Sequence, residues 1–161
     1  MRTSPKTTEG PTGMIKEVWM REALAEARLA AAAGDIPVGC VIVDGSGEII
    51  ARGRNRREQN HDATAHAEVE AIRAASAIRQ SWHMEDCTLV VTLEPCPMCA
   101  GAILNARFGT VIYGAREEKT GSLGSVVDLY SENYGYHPKV YGGILAADCA
   151  AVLREFFEGM R

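Results

Sequence analysis

The sequence predicts an α/β sandwich, a mixed sheet of about five strands covered by helices. Three observations carry this. Runs rich in β-branched residues alternate with stretches of helical period. A strand, a helix and a second strand follow one another between Cys87 and Ala115, as in a crossover with parallel strands. A chain of 161 residues with 47% hydrophobic content is long enough to bury one compact core, and no internal repeat or inter-domain linker divides it.

The elements follow in order. The first residues, MRTSPKTTEGPTG, hold almost nothing to bury, so 1–13 are expected to form a flexible tail and 14–161 the domain. From Met14 onward, Ile15, Val18, Trp19, Ala23, Ala27 and Ala30 fall at helical spacing, Glu17 can pair with Arg21, and Gly34 is a natural stop. The runs CVIV and EIIA flank DGSG, whose glycines permit the positive φ of a tight turn, so a hairpin is expected. RREQNHDAT reads as a loop into a helix that opens near His66, with Thr64 or Asp62 as its N-cap. On that helix Val69, Ile72, Ala75 and Ala77 are expected inside, and Glu70, Arg73 and Arg79 in water. CTLVVTL, PMCAGAILNA and TVIYGA supply the crossover. The Gly/Ser loop KTGSLGS and an irregular stretch from Tyr130 to Tyr141 then lead to a last helix, where Cys149, Val152, Leu153, Phe156 and Phe157 form one apolar stripe.

A net charge of −4 excludes a surface coated in basic charge for indiscriminate nucleic-acid binding, while leaving room for a local basic patch. No segment approaches the roughly 18 consecutive apolar residues of a membrane span, and the first residues lack an apolar leader core. The expectation is a soluble, cytoplasmic protein with no membrane association. Five cysteines, two of them in a C-x-x-C, favour metal or redox chemistry in a reducing compartment over a disulfide framework.

Cys96 follows a strand, and Pro97 suits the first position of a helix, so Cys96 and Cys99 share that helix's first turn. The helix dipole favours thiolate there, and soft sulfur donors select zinc or an iron–sulfur cluster. A C-x-x-C alone also fits a redox pair. A structural zinc site would need two more ligands from Cys40, Cys87, Cys149, His61, His83 and His137, none of which forms a second close pair. His66 and Glu68 open another helix. Two residues apart they would diverge in a helix interior, but in a first turn both can bend round the open end. If the two helix starts face one spot, an imidazole and two thiolates form a three-ligand site with a free fourth position, the catalytic zinc arrangement. Glu68 would then be a carboxylate free to move a proton. Read alone, His66 is a capping residue and Glu68 a surface charge.

H-x-E followed by P-C-x-x-C is the signature of zinc nucleobase deaminases. With DIPVGCVIV, GRNR, HDATAHAE, TLEPCPMCAGAI, GAREEKTGSLGS and GGILAADCAAVLREFF, the chain from about Ile15 to its end resembles the bacterial tRNA adenosine deaminases. That resemblance implies a three-layer α/β/α, cytidine-deaminase-like fold. It implies one Zn²⁺ per subunit on His66, Cys96 and Cys99, with Glu68 as proton shuttle in converting adenosine to inosine at the wobble position. It further implies that Asn55 hydrogen-bonds the purine, that Ile36, Pro37 and Val38 pack on the flipped-out base, and that a homodimer binds an arginine tRNA anticodon stem-loop. Phosphate-binding cations would come from the cluster of Arg52, Arg54, Arg56 and Arg57 around Asn55, above all Arg56, and from Arg116 and Lys119 on another loop. Two positions depart from the family pattern. Glu117 stands where aspartate is more usual, and His137-Pro138 where Asn-His is more familiar. The competing readings are a deaminase of free guanine or cytidine and a non-catalytic zinc-containing RNA-binding module. The GAREEKTG loop and the C-terminal run favour the tRNA enzyme, and a purely structural site has no use for Glu68.

Overall fold

The computed structural model describes residues 10–160; residues 1–9 of the expected tail lie outside them. The first helix starts one residue before Met14. Thr12 is the N-cap of α1 (Gly13–Ala32), its hydroxyl accepting the Ile15 N–H at 3.2 Å. Glu17 and Arg21 pair along the helix at 3.6 Å, and Gly34, at φ +86°, ends the turn that follows it.

β1 (Gly39–Val43) and β2 (Ile49–Arg54) form the expected hairpin, its turn held by Asp44, whose Oδ1 accepts the Ser46 N–H at 2.9 Å and the Glu48 N–H at 3.1 Å. The sheet runs β2-β1-β3-β4-β5. β1 is antiparallel to both neighbours, while β3 (Thr88–Leu93), β4 (Thr110–Ala115) and β5 (Lys139–Tyr141) are parallel. α4 (Pro97–Asn105) makes the crossover from β3 to β4.

Side chains alternate across the pleat, and both faces are covered, which is why the central strands read as unbroken apolar runs. Cys40, Ile42, Leu89, Val91 and Val111 pack toward α3 (Ala67–Arg79) and α4. Val41, Val43, Val90 and Ile112 pack toward α1 and α5 (Ala146–Glu158). Each such buried Val, Ile or Leu contributes about 1.5–3 kcal/mol. Two glycines set the layer spacing. A methyl at Gly39 would run into the backbone of α1 at Ala23 and Ala27, and one at Gly53 into the backbone of α3 at Ala67 and Ala71. Only glycine lets those helices lie so close to the hairpin.

Several expectations are corrected. RREQNHDAT contains a one-turn helix, α2 (Arg57–Asn60), closed by His61 at φ 50°. The N-cap of α3 is His66 rather than Thr64 or Asp62; Asp62 instead accepts the Thr64 N–H at 2.8 Å and its hydroxyl at 2.7 Å in a turn of its own. Ala77 is exposed because it falls off the Ala67, Ala71, Ala75 line that meets the sheet. Arg79 is drawn partly inward by Asp86, 2.8 Å away. The Tyr130 to Tyr141 stretch yields β5 and two anchoring hydroxyls, Tyr130 donating to the Ala100 carbonyl at 2.9 Å and Tyr136 to that of Phe108. On α5 only Cys149 of the expected stripe is buried, and Phe157 is 49% exposed, because the helix lies over β4 with just the three-residue β5 beyond it.

Candidate active site

The end of β3 delivers Cys96 to the N-cap of α4, with Pro97 at the first helical position; the turn after α2 delivers His66 to the N-cap of α3. Both residues have extended backbone, and neither side chain caps its own helix. Both side chains are therefore available to a ligand. His66 Nδ1 lies 3.6 Å from Cys96 Sγ and 3.4 Å from Cys99 Sγ, and the three donor atoms lie within 4.8 Å of one another. A tetrahedral ion with bonds of about 2.0 Å to nitrogen and about 2.3 Å to sulfur would hold such atoms about 3.6 Å apart. Spacing and donor chemistry both fit zinc with one position left open. Among the described residues this is the one such cluster of three donors.

The charges suit a cation. Cys96 is pushed down to about 4 by the hydrogen bond from Cys99, which together with His66 outweighs the opposing effect of burial. Cys99 is pushed up by holding that shared proton and by its burial. His66 is raised chiefly by its bond to Cys96. The cysteine pair thus carries a thiolate at the N-terminus of α4, where the helix dipole favours it.

Glu68 stands in the first turn of α3, 4% exposed, its carboxyl raised mainly by burial. It faces the same cavity as His66 and Cys96, whose apolar walls are Ile36, Val38 and Leu93. Asn55, also lining it, is buried. Its Nδ2 donates to the Ile36 carbonyl at 3.2 Å and its Oδ1 accepts the Arg57 N–H at 3.2 Å. One N–H and one lone pair of the amide remain for a ligand.

Other expected residues fall elsewhere. Pro37 is buried behind the cavity wall, and Arg57 rather than Arg56 lines the cavity. Arg52 pairs with Glu22 at 2.9 Å and with Glu26 at 3.8 Å, and Arg54 pairs with Glu26 at 3.7 Å, so α1 already occupies half of the arginine cluster. Arg116 is exposed and donates from Nε to Ser125 Oγ at 3.1 Å. Lys119 is exposed too, and the cavity is met instead by Glu117 and Thr120 of the same loop. His137 and Pro138 border a separate depression with Tyr130 and Lys139.

Besides Glu26, two buried carboxylates escaped the sequence. Asp35, 1% exposed, accepts the N–H groups of Glu58 at 2.8 Å and Gln59 at 3.2 Å, fixing α2 beside Asn55. Glu94, 2% exposed, lines the cavity itself. Each neighbours a proline-containing turn, in DIPVG and TLEPC, and that was the only signal either gave.

A mixed α/β sandwich with a three-donor site at two converging helix starts, a fourth position open and a buried non-ligand carboxylate alongside, defines a protein with a zinc centre of the catalytic type. The chain belongs to the cytidine and deoxycytidylate deaminase family, whose zinc-binding region matches residues 14–115. It is 46% identical to the tRNA-specific adenosine deaminase of Streptococcus pyogenes serotype M1, across 86% of this chain and 81% of that protein. It is 49% identical, over 88% of its length, to a Deinococcus radiodurans protein named tRNA(Ile)-lysidine synthase, of which it spans 24%. A solved structure from biochemical and structural studies of A-to-I editing by tRNA:A34 deaminases superposes with a TM-score of 0.81 at 40% identity, covering 84% of this chain and 99% of that one. No helix among the described residues is long and apolar enough to cross a membrane.

Proposed function

We propose that this chain hydrolytically deaminates adenosine to inosine at the wobble position of a tRNA anticodon. The reading is carried by the buried Glu68 beside the His66, Cys96 and Cys99 trio, in a cavity that also presents Asn55. The likeness to the streptococcal enzyme and to the tRNA:A34 deaminase structure supports the substrate.

When bound on His66, Cys96 and Cys99, zinc supplies a water acidic enough to serve as nucleophile near neutral pH. The chain's own groups do the rest. Burial makes Glu68 a better proton holder than an exposed carboxylate, matching it to take a proton from the attacking water and deliver it to N1 of the purine, then to take the proton of the new C6 hydroxyl and pass it to the amino group, which leaves as ammonia. The spare N–H and lone pair of Asn55 orient the ring, while Ile36, Val38 and Leu93 flank it and exclude bulk water. Arg57 provides positive charge for the backbone of a base flipped into the cavity.

The same reading takes a cytoplasmic homodimer acting on an arginine tRNA. Exposed apolar side chains support the dimer. Met98 lies between the two cysteines, and Val126 and Val127 follow the loop that brings Thr120 to the cavity.

The test is to incubate the zinc-loaded protein with an arginine anticodon stem-loop carrying a wobble adenosine, with guanine and cytidine in parallel, and to identify products by mass spectrometry. Inosine in the stem-loop alone is expected. Xanthine or uridine would assign a small-molecule substrate instead, and no product from a zinc-loaded fold would overturn the reading.

A further inference from the structure

Four hydrogen bonds converge on a carboxylate that this chemistry does not use. Glu94 Oε1 accepts the Glu117 N–H at 3.2 Å and the Ser125 hydroxyl; Oε2 accepts the Leu123 N–H at 3.0 Å and the Ser125 N–H at 3.1 Å. Every donor lies in the segment 117–125, which brings Glu117 and Thr120 to the cavity. No cation among the described residues forms a salt bridge with Glu94, so main-chain and hydroxyl dipoles make every direct contact with a side chain that is 2% exposed, and the nearest link to a cation is the Arg116 Nε that donates to Ser125 Oγ at 3.1 Å. Gly121 completes the seat, because a methyl there would stand 2.5 Å from both Cδ and Oε2 of Glu94. One further bond, from the Ser122 N–H to the Pro95 carbonyl at 2.9 Å, ties the same loop to the residue preceding Cys96.

We infer that Glu94 is a positioning residue for substrate binding, a latch that holds the 117–125 loop against the cavity and registers Glu117 and Thr120 to the donor site two residues beyond it. This rests on the deaminase reading. Only an ionised carboxylate supplies acceptor sites on both oxygens for four donors; the corresponding amide would turn an NH₂ toward two of them. Glu94 and Cys96 occupy one short run at the end of β3, so the loop wall and the metal donor are fixed to a common point.

The experiment compares the zinc-loaded full chain with its Glu94→Gln and Ser125→Ala variants by amide hydrogen exchange, zinc content and steady-state kinetics on the stem-loop. Glu94→Gln should speed exchange across 117–125 by roughly tenfold or more while leaving 88–93 protected. It should raise KM about tenfold, hold kcat within about twofold and keep the zinc, the pattern of lost ground-state binding. Ser125→Ala should move the same quantities less, and it carries the test if Glu94→Gln does not fold. Unchanged exchange in 117–125, loss of zinc, or a fallen kcat at constant KM would overturn the inference. If the wild-type chain makes no inosine, the deaminase reading fails, while the exchange measurement still decides whether Glu94 holds the loop.

Discussion

The carboxylate of Asp35 accepts the backbone N–H of Glu58 at 2.8 Å, and through that contact a residue in the turn after α1 fixes the start of α2. Asn55 and Arg57 sit just before that contact and line the cavity. Asp35→Ala should therefore cost about 1–3 kcal/mol, the penalty for stranding two N–H groups in a part-buried turn. KM should also rise more than kcat falls. Denaturant unfolding and steady-state kinetics on the stem-loop check the two effects.

Glu68 and Cys96 are expected to fail differently. Glu68→Ala should keep the fold and the zinc but lose about 10²–10⁴-fold in turnover, the usual range for a removed proton carrier. Cys96→Ala should lose the metal. Metal analysis beside single-turnover rates separates them, and a near-normal rate for Glu68→Ala would remove the proton-shuttle assignment.

Gly53→Ala should disturb the site from a distance. The added methyl presses on the α3 backbone at Ala67 and Ala71, directly after His66, so the helix must shift. Overpacking of this kind costs about 1–3 kcal/mol. A lowered melting temperature together with weaker zinc retention against a chelator is the expected pair of results.

Glu94 makes stability depend on acid. Burial alone would raise its carboxyl, but the hydrogen bonds from Ser125, Leu123 and Glu117 prevail and hold it below its ordinary 4.5. A depressed folded-state pKa contributes stability that is fully present above the unfolded value and is lost as pH falls through the folded one. The stability difference between wild type and Glu94→Gln should thus be constant near neutral pH and shrink below about 4.5. Urea unfolding of both proteins across that range measures it.

The arginines near Asn55 should divide into two groups. Arg52 is already committed to Glu22 and Glu26, so Arg52→Gln should change stem-loop affinity little. Arg57→Gln should weaken binding and reduce the slope of log K against log salt by roughly one. Filter binding at several salt concentrations distinguishes them.

The meeting of His66, Cys96 and Cys99 was legible in the sequence because a zinc site of this kind needs a fixed local grammar: a thiol and a proline at a strand end, a second thiol one turn later, and a histidine followed by a carboxylate at another helix start. The hairpin and the crossover were legible for a similar reason, since turn glycines and hydrophobic period are local signals. What escaped depends on tertiary partners. Arg52 and Arg54 looked like free cations until the fold placed Glu22 and Glu26 opposite them. Asp35 and Glu94 looked like loop charges, and their burial appears only once α2 and the 117–125 loop close over them. The stripe on α5 had the right period for a buried face, but the sheet is too narrow beyond β4 to cover it.

The two outer margins of the sheet also bear on how the protein keeps company with copies of itself. On one side β2 carries Arg52 and Arg54, clamped by the acidic side chains of α1; on the other, β5 is three residues long and opens with Lys139. A stray extended segment seeking to add to this sheet meets fixed charge at one border and too few free amides at the other. The central strands, which would be dangerously sticky if displayed, are kept in the middle of the order. The fold that gathers the site thereby also resists growth into fibres.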